Sequence, residues 1–247
     1  MKFKDYFSSR SDRYKAYRPQ YPSELFNYLS SLVNQHKLVW DVATGSGQAA
    51  LGLSSYFKTV HATDASANQI NNATHKLNIH YKVEPAERCT LTDSSVDLVT
   101  VAQALHWFDF EAFYPEVYRV LKPEGYLAVW SYGLIRFENH EMDSLIQRFY
   151  NGLIRGYWPP ERNYIDQEYE TIPFPFQELT DTPEFEIRLT HDSDSLINYL
   201  STWSGVRNYI TTKGIDPLIE LRKDITKLNE TEFEAYFPLH LRIGQLK

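Results

Sequence analysis

The sequence predicts an α/β fold: a doubly wound, Rossmann-like, mainly parallel seven-stranded sheet, with helices on both faces and a helical insertion covering the acceptor side. Three observations carry this. Short apolar runs alternate with segments of helical periodicity through the first 132 residues, the pattern of repeated βαβ units. The first run, Val39-Trp40-Asp41-Val42, ends in the bend Ala43-Thr44-Gly45-Ser46-Gly47 and passes straight into a helix-like segment. The second ends at Asp64, twenty-three positions after Asp41, which sets another carboxylate at the tip of the neighbouring strand.

Taken in order, Pro22 suits the first turn of a helix whose apolar face is Leu25, Phe26, Leu29, Leu32 and Val33. Residues 38–42, 59–63, 79–83, 96–101 and 126–131 read as strands, and 48–57, 66–76 and 109–121 as the crossover helices between them. After Tyr132 the alternation stops. Residues 138–155 have helical spacing, but 157–176 carry Trp158-Pro159-Pro160 and Pro173-Phe174-Pro175-Phe176, which break regular elements. Residues 134–183 are therefore expected to form the acceptor-side insertion of a single domain spanning 1–247. Beyond them, 185–190 alternates like a strand, 196–209 and 217–226 read as helices, and 239–243 as the last strand. There is no internal repeat and no low-complexity tract.

A chain that leaves a buried strand and turns at once into a helix needs small residues at the bend, and the helix start offers free N–H groups to a ligand. Asp64, at the next strand tip, is placed to accept hydrogen bonds from ribose hydroxyls. Both features point to a nucleoside cofactor. Gly45, Gly47 and Ala50 also satisfy the G-x-G-x-x-G/A pattern of a dinucleotide site, so an NAD-dependent oxidoreductase is the alternative to weigh. Asp41 separates the two: a carboxylate one turn from the cradle repels a pyrophosphate and attracts an ammonium and a sulfonium. The charge favours S-adenosyl-L-methionine, with S-adenosyl-L-homocysteine as product.

These residues resemble the class I S-adenosylmethionine-dependent methyltransferases, and in particular a small-molecule subgroup that includes trans-aconitate methyltransferase-like proteins. Asp41-Val42-Ala43-Thr44-Gly45-Ser46-Gly47 is similar to the family's D-x-G-x-G-x-G loop, Asp64 followed by Ser66 to its ribose-binding strand end, and Ala86-Glu87 followed by Ser95-Val96-Asp97-Leu98-Val99 to its adenine-side segment. Gln103 to Phe108 and Arg119 to Leu127 complete the series in the same order. The resemblance covers residues 14–133 closely. It implies that Asp41, Ala43, Gly45 and Gly47 face the methionine end of the cofactor, that Asp64 and Ala65 meet the ribose, and that Ala102 and Gln103 lie nearest the reacting methyl. The chain departs from the pattern in three places. Ala43 replaces the first loop glycine, which requires a negative φ there; Pro85 replaces an acidic adenine contact, leaving backbone groups near Ala86, with Glu87, to hold the base; and Pro115 interrupts a segment that is helical in the family.

Composition excludes several function classes. A formal charge of −7, with basic residues scattered singly, is unsuited to a nucleic-acid partner. No apolar run reaches membrane-spanning length, the first 18 residues are charged and aromatic, and the only cysteine, Cys89, has no partner for an internal disulfide; a cytoplasmic location is expected. No metal is expected, and nothing specifies an oligomeric state. The 18 tyrosines line an acceptor pocket or fill the core and its rim.

Methyl transfer requires an electrophilic methyl in line with a nucleophile, so positioning residues should outnumber catalysts. His106, just past the fourth strand, has two readings: a general base taking a proton from a hydroxyl or amine acceptor, or a residue that with Trp107 caps the strand and packs the next helix. Residues 1–22 also have two: a lid over the cofactor, with Tyr17 near the sulfonium and Arg18 on a carboxylate, or a proline-stiffened lead-in to the first helix. The expected acceptor is a small molecule offering an oxygen nucleophile, carboxylate or hydroxyl. Arg136, Arg155 and Arg207 are the candidates for binding a carboxylate. A cofactor-binding protein without turnover is the third alternative.

Overall fold

A computed structural model of the chain describes residues 19–246, and the expected contacts of Tyr17 and Arg18 lie outside that range. After α1 (Ser23–Ser31) come β1 (Leu38–Val42), α2 (Gln48–Leu53), β2 (Thr59–Asp64), α3 (Ala67–Asn71), β3 (Ile79–Val83), β4 (Val96–Ala102), α4 (Phe110–Val120) and β5 (Leu121–Tyr132). The later chain adds β6 (Arg136–Phe137), α5 (His140–Arg148), α6 (Arg162–Asp166), β7 (Gln177–Glu178), β8 (Phe185–Asp192), α7 (Ser193–Ser201), α8 (Ser204–Lys213), α9 (Leu218–Thr226) and β9 (Glu232–Gln245).

The sheet runs β3-β2-β1-β4-β5-β9-β6, with β7 and β8 also pairing with β9. The five strands from β3 to β5 are parallel and in register, Asp41 beside Ala62 on one side and Thr100 on the other, while every pairing of β9 is antiparallel. Nine strands stand where seven are expected; β6 and β7 are only two residues long and tie the ends of the insertion to β9. Alternate residues of the central strands feed two cores: Val39, Leu98 and Trp130 pack with α1 and α2, and Trp40, Val99 and Val129 with α4. That two-sided burial is the signature of a doubly wound sheet.

Several expected boundaries move. The helices expected at 48–57 and 66–76 stop at Leu53 and Asn71. The one expected at 196–209 breaks into α7 and α8, with Trp203 in extended backbone at the N-terminus of the second. The helix expected over 138–155 is α-helical only to Arg148 and then widens into a π-helical turn, Phe149–Leu153. Pro115 does not interrupt α4: the helix runs through it, capped by Asp109 and anchored by buried Phe113, Tyr114, Val117 and Val120. Tertiary burial outweighs the lost N–H. The last strand is far longer than 239–243, because its first half pairs with β8 and its second half with β5.

No helix among the described residues is long and apolar enough to cross a membrane.

Candidate functional site

The site forms where β1, β2 and β4 end side by side. At the end of β1, Asp41 is fully buried. Thr44 Oγ1 donates to its Oδ2 at 2.5 Å and Thr100 Oγ1 to its Oδ1 at 2.9 Å, and the Ala50 amide in the first turn of α2 adds a third donor. Burial nevertheless raises its pKa from 3.8 to about 6, with the Asp64 charge adding to the shift. Asp41 thus staples the bend to α2 from one layer below. It is not among the residues of the cavity wall, and protein donors occupy its oxygens.

Asp64 is at the cavity wall. Its Oδ2 accepts from the Gly45 amide at 2.9 Å and its Oδ1 from the Ser66 amide at 2.8 Å, which joins the bends after β1 and β2 at the cavity wall. The Gly45 amide is therefore committed to Asp64. Ala43 stands at φ 52°, so the negative φ required of it is corrected; the tight turn imposes the left-handed conformation on an alanine. Gly47 lies at φ 86°, and a Cβ there would stand 2.1 Å from the Tyr81 hydroxyl, so the position excludes a side chain twice over. A Cβ on Gly45, in contrast, would meet nothing within 4 Å among the described residues.

The cavity over the bend has a volume of about 1210 Å³. Ala43, Gly45, Gly47, Asp64, Ala65, Ala86, Glu87, Ala102 and Gln103 all line it. At its mouth Gln48 Nε2 donates to the Pro19 carbonyl at 2.6 Å, and Gln20 and Tyr21 join the wall. Sequence reasoning missed Glu84, which sits in the wall beside Pro85 and accepts from Thr90 Oγ1 at 2.7 Å, with His61 at 3.1 Å. The far wall is aromatic: Trp107, Phe108, Phe110, Tyr132 and Tyr164. Six carboxylates line this chamber, Asp64, Glu84, Glu87, Asp109, Glu111 and Glu161, and among the described residues no lysine or arginine does. Such a chamber fits a nucleoside that carries an ammonium and a sulfonium and disfavours a pyrophosphate.

His106 lies at the inner end of the chamber, buried, with Nδ1 2.7 Å from the hydroxyl of Tyr169. Tyr169 is itself fully buried and held at φ 65°, backbone strain of the kind that marks a constrained site. Burial pushes the phenol strongly upward, so it keeps its proton. Burial, together with the Arg162 charge, lowers the imidazole pKa to about 3, so the ring is neutral at working pH, and its tautomer sets which nitrogen is paired with Tyr169 as donor or acceptor.

A second cavity, of about 80 Å³, lies behind His106 and shares Gln103, His106, Trp107 and Tyr132 with the first. Arg162 and Arg207 line it. Of the arginines expected from sequence, Arg136 is paired with Asp143 at 2.9 Å and exposed Arg155 reaches Asn151 at 3.3 Å, neither at a cavity wall. The place of Arg162 in this wall was not legible, because it depends on α6 packing against the turn Leu105–Trp107 that follows β4.

Comparison with known proteins agrees with this site. Residues 40–129 match the family model described as a methyltransferase domain. A Dictyostelium discoideum protein named as a candidate methyltransferase is 38% identical over 99% of this chain and 96% of its own length. The malonyl-[acyl-carrier protein] O-methyltransferase of a Marinomonas species is 35% identical over 49% of this chain and 48% of its own. The solved structure of a candidate type II methyltransferase from Anaeromyxobacter dehalogenans superposes with a TM-score of 0.86 at 38% identity, covering 92% of this chain and 97% of that one. This fold, with 38% identity along nearly the whole length of such relatives, places the chain among the class I S-adenosylmethionine-dependent methyltransferases, with S-adenosyl-L-methionine as its cofactor.

Proposed function

We propose that the acceptor is a small molecule and that the methyl group goes to one of its oxygen atoms. The observation that carries this is the chamber itself: at about 1210 Å³ it exceeds the usual volume for one drug-sized ligand, and it runs unbroken from the glycine bend to an aromatic wall. When bound, S-adenosyl-L-methionine supplies an electrophilic methyl on a sulfonium. Asp64 holds the ribose hydroxyls, the Gly45 bend receives the amino-acid end with Asp41 acting through its charge, and the backbone at Ala86 with Glu87 holds the adenine. Ala102 and Gln103 border the reacting region.

Six carboxylates around the chamber argue against an amine acceptor, since they would keep an amine protonated and without a lone pair. Oxygen does not suffer this, and the Marinomonas relative is named as an O-methyltransferase. A carboxylate nucleophile needs no base. His106 then serves as a neutral Nε2–H donor that orients the acceptor. Residues 1–22, of which Gln20 and Tyr21 line the chamber, act as a lid over the cofactor, and the insertion at 134–183, through Glu161 and Tyr164, covers the acceptor side.

The test is transfer from labelled S-adenosylmethionine to matched acceptor panels of carboxylates, hydroxyls and amines. Oxygen products are expected, with activity lost on deletion of residues 1–18. Methylated amines, or a methylated macromolecule in place of a small product, would overturn the reading.

A further inference from the structure

Two oxygens of the chamber wall are buried without a hydrogen bond. Among the described residues Gln103 Oε1 and Glu161 Oε2 have no partner, and both residues line the larger cavity. A buried polar atom left unpaired costs about 1–3 kcal/mol, and folded chains keep few of them. Two in one cavity wall, both acceptors, ask for a ligand that brings donors.

The orientation of Gln103 is fixed by its neighbours. Its backbone amide donates to the Trp130 carbonyl at 2.8 Å and its Nε2 to the Tyr132 carbonyl at 3.1 Å. A carbonyl only accepts, so the side-chain amide cannot be turned round: the nitrogen faces β5 and the oxygen faces away from it. The residue is held at φ 55°, a conformation that a glutamine adopts only at a cost. Glu161 stands at the N-terminus of α6, and α6 packs against the turn Leu105–Trp107, which begins two residues after Gln103. The two side chains thus belong to the same end of the chamber, where the rings of Phe110 and Tyr164 meet edge to face at 6.0 Å.

We propose that the acceptor is a ring compound with at least two hydroxyl groups, anchored by the hydrogen bonds they donate to Gln103 and Glu161. This rests on the reading of the chain as a methyltransferase acting on a small molecule, and it narrows the oxygen acceptor to a hydroxylated one. A carboxylate would set acceptor against acceptor at both places, and an ether or ester has nothing to donate. Gln103 also shares the wall of the smaller cavity with Arg162, whose charge repels an ammonium group from that oxygen; a neutral hydroxyl is the donor that fits. The aromatic wall favours a ring between the two anchors.

The test uses the full chain saturated with S-adenosylhomocysteine and titrated by calorimetry with catechol, 1,3-benzodioxole, benzoate and benzylamine. Benzodioxole keeps both oxygens of catechol and lacks its donors. Catechol should bind saturably and at least about tenfold more tightly than each of the other three. Gln103→Met and Glu161→Leu each remove one acceptor and should lower the ratio of catechol to benzodioxole affinity about threefold or more, whereas general damage to the wall would weaken both probes alike. Glu161→Gln retains an oxygen and should keep more of that ratio than Glu161→Leu. If Gln103→Met does not fold, the two Glu161 variants decide. Equal binding of catechol and benzodioxole, tighter binding of benzoate or benzylamine, or a ratio that Glu161→Leu does not move overturns the proposal. The broader reading fails separately, through absence of methyl transfer to any small molecule, and it survives if an acceptor without hydroxyl groups is methylated.

Discussion

The hydroxyl of Tyr169 lies 2.7 Å from Nδ1 of His106, joining in one hydrogen bond two buried side chains that are sixty-three residues apart. Tyr169 reaches that position from a left-handed backbone conformation, so the chain accepts strain to hold the two rings together. Tyr169→Phe removes that bond. It should cost about 1–3 kcal/mol in denaturant unfolding, since Nδ1 is left buried without a partner. In ¹⁵N spectra the parent should show an unprotonated Nδ1 and a protonated Nε2, and the variant a mixture, with turnover reduced and S-adenosylhomocysteine affinity preserved. A protonated Nδ1 in the parent would favour the general-base reading.

Asp41 makes stability depend on pH with an unusual sign. Its folded pKa of about 6 exceeds the ordinary 3.8, so the folded state holds a proton that the unfolded state has released between those values. Its contribution is favourable at low pH and disappears as pH rises through 6, leaving a penalty of about 3 kcal/mol above that. Asp41→Asn has no such proton. The stability difference between variant and parent should shift by up to about 3 kcal/mol in the variant's favour between pH 4 and pH 7, measured by urea unfolding. A pH-independent difference would mean that the carboxylate is ionised without penalty.

The bend after β1 allows two opposite substitutions. Gly47→Ala forces a methyl into the Tyr81 hydroxyl at φ 86° and should destabilise by about 2 kcal/mol or more, with cofactor affinity falling too. Ala43→Gly relieves an alanine at φ 52°, a strain of about 1–2 kcal/mol, against an entropic cost of about 0.5–1 kcal/mol for a glycine. Ala43→Gly should therefore be neutral to slightly stabilising by thermal melting. A loss above about 1 kcal/mol would show that the alanine methyl packs usefully.

Asp64→Asn should cut S-adenosylhomocysteine affinity at least about tenfold, because the charged acceptor that ties the Gly45 and Ser66 amides is also the one proposed to hold the ribose. NAD should bind neither form, the chamber having six carboxylates for a pyrophosphate to meet. Calorimetry with both ligands checks this. Tight NAD binding by the parent would undo the electrostatic account of the site.

Local signals made the parallel core and the cofactor half of the site legible. Asp41, the glycine bend and Asp64 are close in sequence, and the turn between a buried strand and a helix admits few residue types. Element ends were less legible: α4 runs through Pro115 because its apolar face is buried on the sheet, and α5 turns π-helical where Tyr150 has to meet Arg162 and Asp166. Glu84, Arg162 and Tyr169 escaped because each gains its meaning from a partner more than five residues away, a distance at which no spacing rule operates.

By itself, the sequence determined the doubly wound sheet and the adenosyl cofactor, since hydrophobic period, glycine placement and carboxylate spacing act within one βαβ unit. Only the tertiary structure decided that Asp41 is buried under three protein donors and that His106 and Tyr169 meet. Those properties depend on burial and on through-space contacts between distant segments, which set protonation and charge only once the chain has closed on itself.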